Sequence, residues 1–408
     1  MYLIINIIGL FIFIGVAALF SRDRKNIQWG SIGILILLNL FLAWFFVYFP
    51  AGTKAVEMAA AGISWVIDAA FSGVGFAFKS WTTAKQMDMA VAALFPILLV
   101  VPLFDVLMYL RILPFFMRGI GWVLAKITRQ PKFEAFFGIE MMFLGNTEAI
   151  AVSSEQVKRI NDARVLTIAM MSMSSVSGAI VGAYVTMLPG ELVLTAIPLN
   201  IINAMIVASI LNPVRIDADE DVIYELRTNE KRQPFFSFLG DSVLNAGKLV
   251  LIIIAFVISF VALAELADRL INLISGGIAS LFHIKGSIGL DQILGVFMYP
   301  FALLLGLPYN EAWDVAQQMA KKIVTNEFVV MGEIMGDVQN YDPHRRAIIT
   351  TFLISFANFS TVGMIIGTLK GIVNEKTADF VSKYVPMMLL SGILVSLLTA
   401  GFVGLFAW

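Results

Sequence analysis

Long hydrophobic runs separated by short polar segments dominate the chain. A helix that crosses a bilayer needs about 20 consecutive, mostly apolar residues. Eight stretches of the sequence meet this requirement: 2–20, 30–49, 90–112, 165–188, 191–212, 247–268, 346–369 and 385–406. The pattern therefore predicts an all-α integral membrane protein with eight transmembrane helices.

Four further apolar segments do not fit a continuous span. Segment 54–80 is amphipathic and 289–306 is short, which is typical of interfacial helices. Charged residues interrupt 133–163 and 311–340 near their middles. We interpret these last two segments as re-entrant helical hairpins that enter the membrane and leave it on the same side.

The composition excludes several classes of function. Of 408 residues, 59% are hydrophobic and 14% charged, so a soluble fold could not bury the apolar surface. The net charge of −1 argues against a nucleic-acid partner. The absence of cysteine, and the wide separation of the two histidines His283 and His344, argue against a disulfide, a metal site or a serine-protease-like triad. We expect no cofactor.

The basic residues predict the orientation. If loop 22–25 is cytoplasmic, most of the 28 lysines and arginines face the cytoplasm, as the positive-inside rule expects. Both termini and segment 341–345 then lie outside, and Arg345 and Arg346 are exceptions to the rule. The basic cluster follows the first apolar run, so we interpret that run as a span of a multi-pass protein of the plasma or inner membrane rather than as a signal peptide.

The chain contains an internal repeat. Residues 1–89 hold two spans and the amphipathic segment, and 213–246 is a predicted cytoplasmic linker. On either side of it, 90–212 and 247–408 show one order of elements: a span, an interfacial stretch, a hairpin (133–163 or 311–340) and two further spans. Because the two repeats begin on opposite sides of the membrane, they form an inverted repeat, an arrangement found in secondary transporters.

Each hairpin carries polar residues at its predicted tip. The first has Gly145, Asn146, Thr147 and Glu148, and the second has Thr325, Asn326 and Glu327. A carboxylate at bilayer depth costs about 2.5–3.5 kcal/mol even on lenient scales, so such residues usually face a functional cavity. The alternative is that each glutamate lies near an interface and extends its carboxylate to water.

The spans after the hairpins are also polar in places. Helical spacing puts Ser174, Ser177 and Val181 on one face, and Asn358 and Thr361 one turn apart. The serines alone are more typical of helix packing. With no lysine or arginine in these breaks, the carboxylates, amides and hydroxyls favour a neutral polyhydroxylated ring compound, and Phe356 could offer its ring face.

Three motifs make the sequence similar to the concentrative nucleoside transporter family, specifically to its bacterial members. They are Gly145-Asn-Thr-Glu-Ala-Ile, Asn326-Glu-Phe and Phe356-Ala-Asn-Phe-Ser-Thr. The resemblance implies a homotrimer that imports nucleosides by cation symport, in which a transport domain moves through a fixed scaffold like an elevator.

The resemblance also implies roles for individual residues. Asn146, Thr147, Glu148 and Val181 contact the nucleobase; Glu327, Asn358 and Thr361 hold the ribose, and Phe356 lies near the base. Gly145 and Asn326 complete the predicted substrate-binding set.

Two positions depart from the family pattern. Asn146 replaces the usual glutamine, so the preference for a purine or a pyrimidine does not carry over. Met141 stands where sodium-coupled members have asparagine, which leaves Ser174, Ser177 and nearby carbonyl groups to complete a sodium site. We therefore expect a proton, carried by Glu327 or Glu148, to be the coupling cation rather than sodium.

Two other functions fit part of this pattern. The chain could transport another polar ring solute such as a nucleobase. It could also be an intramembrane enzyme that uses Glu148 and Glu327 as an acid–base pair, although no nucleophile, metal or cofactor motif lies beside them.

Overall fold

The computed structural model describes residues 1–83, 87–216, 221, 233–282 and 289–408. In these residues the regular secondary structure is helical, as the sequence predicted. The helices up to residue 211 are α1 (Tyr2–Leu19), α2 (Trp29–Val47), α3 (Pro50–Ala77), α4 (Ile97–Tyr109), α5 (Ile112–Thr128), α6 (Lys132–Leu144), α7 (Asn146–Val152), α8 (Asp162–Ser172), α9 (Gly178–Met187) and α10 (Gly190–Leu211). The later helices are α11 (Phe235–Phe282), α12 (Leu290–Leu304), α13 (Tyr309–Val324), α14 (Glu327–Ile334), α15 (Pro343–Leu353), α16 (Phe359–Ile372), α17 (Glu375–Ser382) and α18 (Val385–Gly404).

Seven helices of the described residues are long and apolar enough to cross a membrane. They are α1, α2, α3, α4 together with the π-helical turn Ala90–Leu94 that precedes it, α10, the Phe235–Leu273 part of α11, and α18. These helices make the chain a multi-pass membrane protein.

Two of the predicted continuous spans are broken. Stretch 165–188 is divided between α8 and α9, and 346–369 between α15 and α16. In the first break Ser174 Oγ donates to Met171 O at 3.2 Å, so its side chain competes for a helix carbonyl. In the second, Asn358 accepts from Thr361 N at 3.0 Å and starts a new helix as its N-cap. The apolar pattern alone did not reveal either break.

Helix α3 contains most of the predicted interfacial segment 54–80 and begins four residues before it. It is a 28-residue helix whose length and composition would allow it to span a membrane. It packs against α2 and α10, and Gly52 lies directly against the carbonyl group of Phe45.

Segments predicted to share one side of the membrane lie together. Arg22 donates to Asn212 Oδ1 at 2.7 Å and lies over the ring of Tyr384 at 4.5 Å. The first contact places loop 22–25 beside the start of the linker, and both were predicted to be cytoplasmic. The ring of His344 stacks on Trp408 at 3.8 Å. This stack joins the 341–345 segment to the C-terminus, both of which were predicted to lie outside.

Both predicted hairpins contain two antiparallel arms. Helices α6 and α7 meet at Gly145, and α13 and α14 meet at Thr325 and Asn326. In each half the hairpin is followed by a broken helix and a long helix, so the order of elements repeats. Part of the predicted linker, 217–220 and 222–232, lies outside the described residues, as does 283–288 in the second repeat. The domain boundaries remain a prediction.

The two most buried spans are α10 and α18. A series of hydrogen bonds links these two helices to each other and to α2. Asn39 donates to Asn203 at 2.8 Å, Asn203 donates to Thr399 at 3.0 Å, and Thr399 donates to Asn200 at 3.2 Å. Such polar contacts hold helices together in an apolar medium, where hydrophobic association is weak. This series of hydrogen bonds ends at the first helix break, where Asn200 donates to the carbonyl group of Ser174.

Candidate substrate site

The two hairpin tips and the two helix breaks meet at one cavity of about 170 Å³. Apolar residues of α4 and α11 form the opposite wall, among them Phe104, Ile253 and Phe256. The predicted site residues that line the cavity are Asn146, Thr147, Glu148, Ser177, Asn326, Glu327, Phe356, Asn358 and Thr361. Residues that lie far apart in the sequence are thus brought to one place.

The first tip depends on the backbone of Gly145. Its φ of 84° lies in the region that favours glycine, and a Cβ there would lie 2.9 Å from Cβ of Ser177 and 3.1 Å from Oε2 of Glu148. This close approach lets the tip pack against the first break. Gly145 thus positions the site without lining it.

One side-chain donor of this tip, the NH₂ group of Asn146, has no hydrogen-bond partner. Asn146 Oδ1 accepts from Thr147 N at 2.8 Å, whereas the buried Nδ2 has no hydrogen-bond partner. Thr147 Oγ1 donates to Glu148 Oε2 at 3.0 Å. A buried amide group without a partner is costly, so a ligand that accepts from it would gain affinity.

The second tip places a buried carboxylate at the cavity. Asn326 caps α14 by accepting from Val329 N at 3.1 Å, and Glu327 is the first residue of that helix. Glu327 Oε1 accepts from Tyr184 Oη at 3.1 Å and Oε2 accepts from Asn358 Nδ2 at 3.0 Å. Each carboxylate oxygen can accept a further hydrogen bond, so ligand hydroxyl groups could be added.

The second break holds Asn358 in a fixed orientation. Its Oδ1 accepts from Ser360 Oγ at 2.7 Å, in addition to the capping bond. Thr361 Oγ1 also lies 2.5 Å from the carbonyl oxygen of Phe356. Because its oxygen is occupied, Asn358 points its NH₂ group toward Glu327 and orients that carboxylate.

Besides Gly145, two predicted residues lie outside the cavity wall. Val181 and Ser174 are both buried, and neither lines the cavity, whereas Ile180 does. The i, i+3, i+7 spacing was wrong here because Ser174 and Ser177 lie in the break before α9 begins. The register of a continuous helix does not apply across that break.

Met141 and the adjacent break surround the position at which sodium-coupled members were expected to bind the ion. Met141 is fully buried, and its sulfur accepts from Ser172 Oγ at 3.6 Å. In the adjacent break, the carbonyl group of Ser174 accepts from Asn200, and that of Ser175 accepts from Phe356 N at 3.4 Å. Each of these two carbonyl oxygens therefore already accepts one hydrogen bond from a protein group.

Three residues at or beside the cavity were not predicted from the sequence. Tyr184 contacts Glu327, and Asp105 of α4 lines the cavity, where it accepts a hydrogen bond from Ser242. Lys322 is fully buried one turn before the second tip. The helical period could have found it, because Lys322 continues the buried face of α13 formed by Ala312, Val315 and Met319.

Comparison with known proteins identifies the family. The model of the C-terminal domain of the Na⁺-dependent nucleoside transporters matches residues 192–404, and the model of their N-terminal domain matches 8–81. The purine nucleoside transport protein NupG of Bacillus subtilis is 42% identical over 408 residues, which covers 100% of both chains. The chain belongs to the concentrative nucleoside transporter family.

Two further proteins are similar to this chain over almost its whole length. The nucleoside permease NupC of Helicobacter pylori is 27% identical and covers 98% of this chain and 97% of its own. A doubly substituted CNTnw in an outward-facing state superposes with a TM-score of 0.91 at 25% identity, covering 100% of this chain and 98% of that one. This family consists of transporters and not of enzymes, which confirms the prediction that the chain is not an enzyme.

Proposed function

We propose that this transporter imports nucleosides together with a proton. The observation that carries the proposal is the single cavity at which both hairpin tips and both helix breaks contribute polar side chains. Carboxylate, amide and hydroxyl groups on one wall face apolar and aromatic residues on the other. This arrangement suits a solute with a polyhydroxylated sugar and a flat ring.

Glu327 is the proposed ribose acceptor. It is 3% exposed, and Tyr184 and Asn358 fix both of its oxygens. Two vicinal hydroxyl groups can donate to one carboxylate, and such charge-assisted bonds contribute about 1.5–3 kcal/mol. Asn358 and Thr361 therefore act on the sugar through Glu327 and through the capping network of the second break.

Asn146 is the proposed contact to the base. Its unpartnered Nδ2 can donate to a ring nitrogen or carbonyl oxygen of the base, and Thr147 and Glu148 lie beside it. The 42% identical relative is named a purine nucleoside transport protein. We therefore propose purine nucleosides, including inosine, as the preferred substrates.

The coupling cation is the second part of the proposal. The family description names sodium, but Met141 provides a thioether where a sodium ion needs oxygen, and two adjacent carbonyl groups each already accept a hydrogen bond. Three acidic residues line the cavity: Asp105, Glu148 and Glu327. Its described lining residues include no lysine or arginine. Three carboxyl groups in one cavity favour the uptake of a proton.

The mode of movement is the third part of the proposal. We propose a homotrimer in the plasma or inner membrane, in which the hairpins and broken helices move as one body past α4 and α11. The two parts meet at the apolar wall of the cavity, where few polar contacts must break when they slide.

Binding by the purified protein tests the proposed substrate. Isothermal titration with inosine, uridine, hypoxanthine and uracil should show binding of the nucleosides, with the free bases at least about tenfold weaker because they lack the ribose hydroxyl groups. Hypoxanthine that binds as tightly as inosine would favour the nucleobase alternative. Chromatography of the recovered solute should show no product, and a modified solute would favour the enzyme alternative.

A further inference from the structure

Lys322 lies beside the cavity but is not part of its wall. It is fully buried, and its ammonium group donates to Phe352 O at 3.4 Å, to Ser355 Oγ at 3.2 Å and to Ser396 Oγ at 3.3 Å. The ring of Phe352 lies 4.8 Å from the same nitrogen. All three N–H groups are therefore used, and the acceptors belong to α15, α18 and the break between α15 and α16.

These acceptors carry no formal charge, so they do not balance the ammonium group. A buried charge is strongly unfavourable unless an opposite charge compensates for it. Glu327 begins the helix on the other side of the tip, five residues further along the chain, and it accepts from Asn358 in the same break that holds Ser355. The hydrogen-bond partners of Glu327, Tyr184 and Asn358, are also neutral. Glu327 is thus the buried carboxyl group placed to compensate the charge of Lys322 across the hairpin tip.

The ammonium group lies where a broken helix offers a cation site. Phe352 is in the last turn of α15, where helix carbonyl groups carry partial negative charge. Transporters commonly bind coupling cations at such half-helix ends. Counted back from the end of each first arm, Met142 of α6 corresponds to Lys322 of α13, so the first hairpin has no charge at this place.

We propose that Lys322 is a tethered cation that joins the second hairpin to the second break and keeps Glu327 ionised as the ribose acceptor. It is a positioning residue, since it acts on the solute through Glu327. This inference rests on the proposed nucleoside function. If Glu327 stays ionised, Glu148 is the carrier of the coupling proton. Glu148 and Asp105 both line the cavity, and the described cavity wall includes no lysine or arginine.

The test compares charge with hydrogen bonding at position 322. Lys322→Met removes both, while Lys322→Gln keeps donors for the same oxygens and provides a second neutral variant if the first unfolds. Lys321→Met is the matched control, because the adjacent Lys321 pairs with Glu333 at 3.1 Å near the surface. Inosine and 2′,3′-dideoxyinosine are titrated against each variant, in the wild-type background and with Glu327→Gln.

We expect wild type and Lys321→Met to prefer inosine over the dideoxy compound at least about tenfold. Both Lys322 variants should bind inosine about tenfold more weakly and lose most of this preference, because an uncompensated buried carboxyl group favours its neutral form. In the Glu327→Gln background, the Lys322 variants should weaken inosine binding by less than about twofold more.

Two results would overturn the inference. One is wild-type affinity and preference in Lys322→Gln, which would mean that neutral hydrogen bonds suffice. The other is an equal loss with and without Glu327→Gln, which would mean that Lys322 acts on the fold alone. Failure of the wild-type protein to bind any nucleoside would instead contradict the proposed function.

Discussion

At the scale of single residues, the site depends on one buried carboxylate that neutral groups orient. Glu327 receives hydrogen bonds from Tyr184 on α9 and from Asn358 at the second break. Neither contact is a salt bridge, so the carboxylate keeps its capacity to accept from a ligand. This explains how an acidic group can serve recognition of an uncharged solute.

Glu327→Gln should weaken nucleoside binding by about 10- to 150-fold, since a charge-assisted hydrogen bond contributes about 1.5–3 kcal/mol. The same variant should show little difference between inosine and 2′,3′-dideoxyinosine. Glu333→Gln on the same helix is the control, because Glu333 is 49% exposed and pairs with Lys321. Isothermal titration measures both, and wild-type affinity in Glu327→Gln would contradict the ribose assignment.

The sequence revealed the charged site residues but not their supporting partners. Glu148 and Glu327 stood out because a carboxylate is costly in an apolar run. Tyr184 was not recognised because an aromatic residue is ordinary in a span, and its hydroxyl group gains meaning only when α9 lies against α14. Lys322 was overlooked because a lysine near the end of an amphipathic helix usually faces water.

At the scale of elements, breaks in the helices bring the polar groups together. The sequence predicted both hairpin tips, since charged residues interrupt their apolar pattern. It did not predict the breaks at 173–177 and 354–358, since hydrophobic residues continue on both sides of them. Serine and asparagine side chains that replace backbone hydrogen bonds leave no mark on hydropathy.

Gly145→Ala should disturb the first tip. The added Cβ would lie 2.9 Å from Cβ of Ser177, and the φ of 84° is strained by about 1–3 kcal/mol for other residues. We expect weaker inosine binding and a lower melting temperature. Gly119→Ala on α5 meets no atom within 4 Å and should change neither. Equal behaviour of the two variants would contradict the role of this turn.

A buried ion pair connects the first hairpin to the first broken helix. Arg164 Nε lies 2.8 Å from Glu134 Oε1, and the two side chains are 2% and 6% exposed. Arg164→Met should reduce the free energy of unfolding by about 3–5 kcal/mol because it leaves Glu134 charged and unpaired. Thermal unfolding of the purified protein measures this loss.

The double variant Glu134→Leu with Arg164→Met should recover much of that stability, since no buried charge remains. Arg159→Met provides the control, because its pair with Glu155 is about half exposed and 4.0 Å long. A double variant less stable than Arg164→Met would show that shape, rather than charge, determines the stability of this contact.

At the scale of the whole molecule, the segments predicted on each side of the membrane lie together. Arg22 contacts Asn212 and Tyr384, and His344 stacks on Trp408. If α3 also crossed the membrane, loop 22–25 and the linker would lie on opposite sides. Because Arg22 and Asn212 are hydrogen-bonded, we predict that α3 does not cross.

Single cysteines introduced into this cysteine-free chain test the topology. Val222→Cys in the linker, outside the described residues, and Lys25→Cys should both resist an impermeant thiol reagent in intact cells. Asn340→Cys, beside the 341–345 segment, should react because it is exposed and predicted to lie outside. Labelling of Val222→Cys without permeabilisation would contradict this orientation, and labelling of Lys25→Cys alone would indicate that α3 crosses.

Uptake into proteoliposomes tests the central claim, proton-coupled nucleoside transport, most directly. Labelled inosine is supplied in choline buffer with the outside more acidic than the inside, and then with a protonophore or with sodium in place of choline. We predict accumulation of unmodified inosine that grows as the external pH falls, collapses with the protonophore and is unchanged by sodium. Accumulation that requires sodium and ignores the proton gradient would contradict the coupling, and no accumulation under either gradient would contradict the account as a whole.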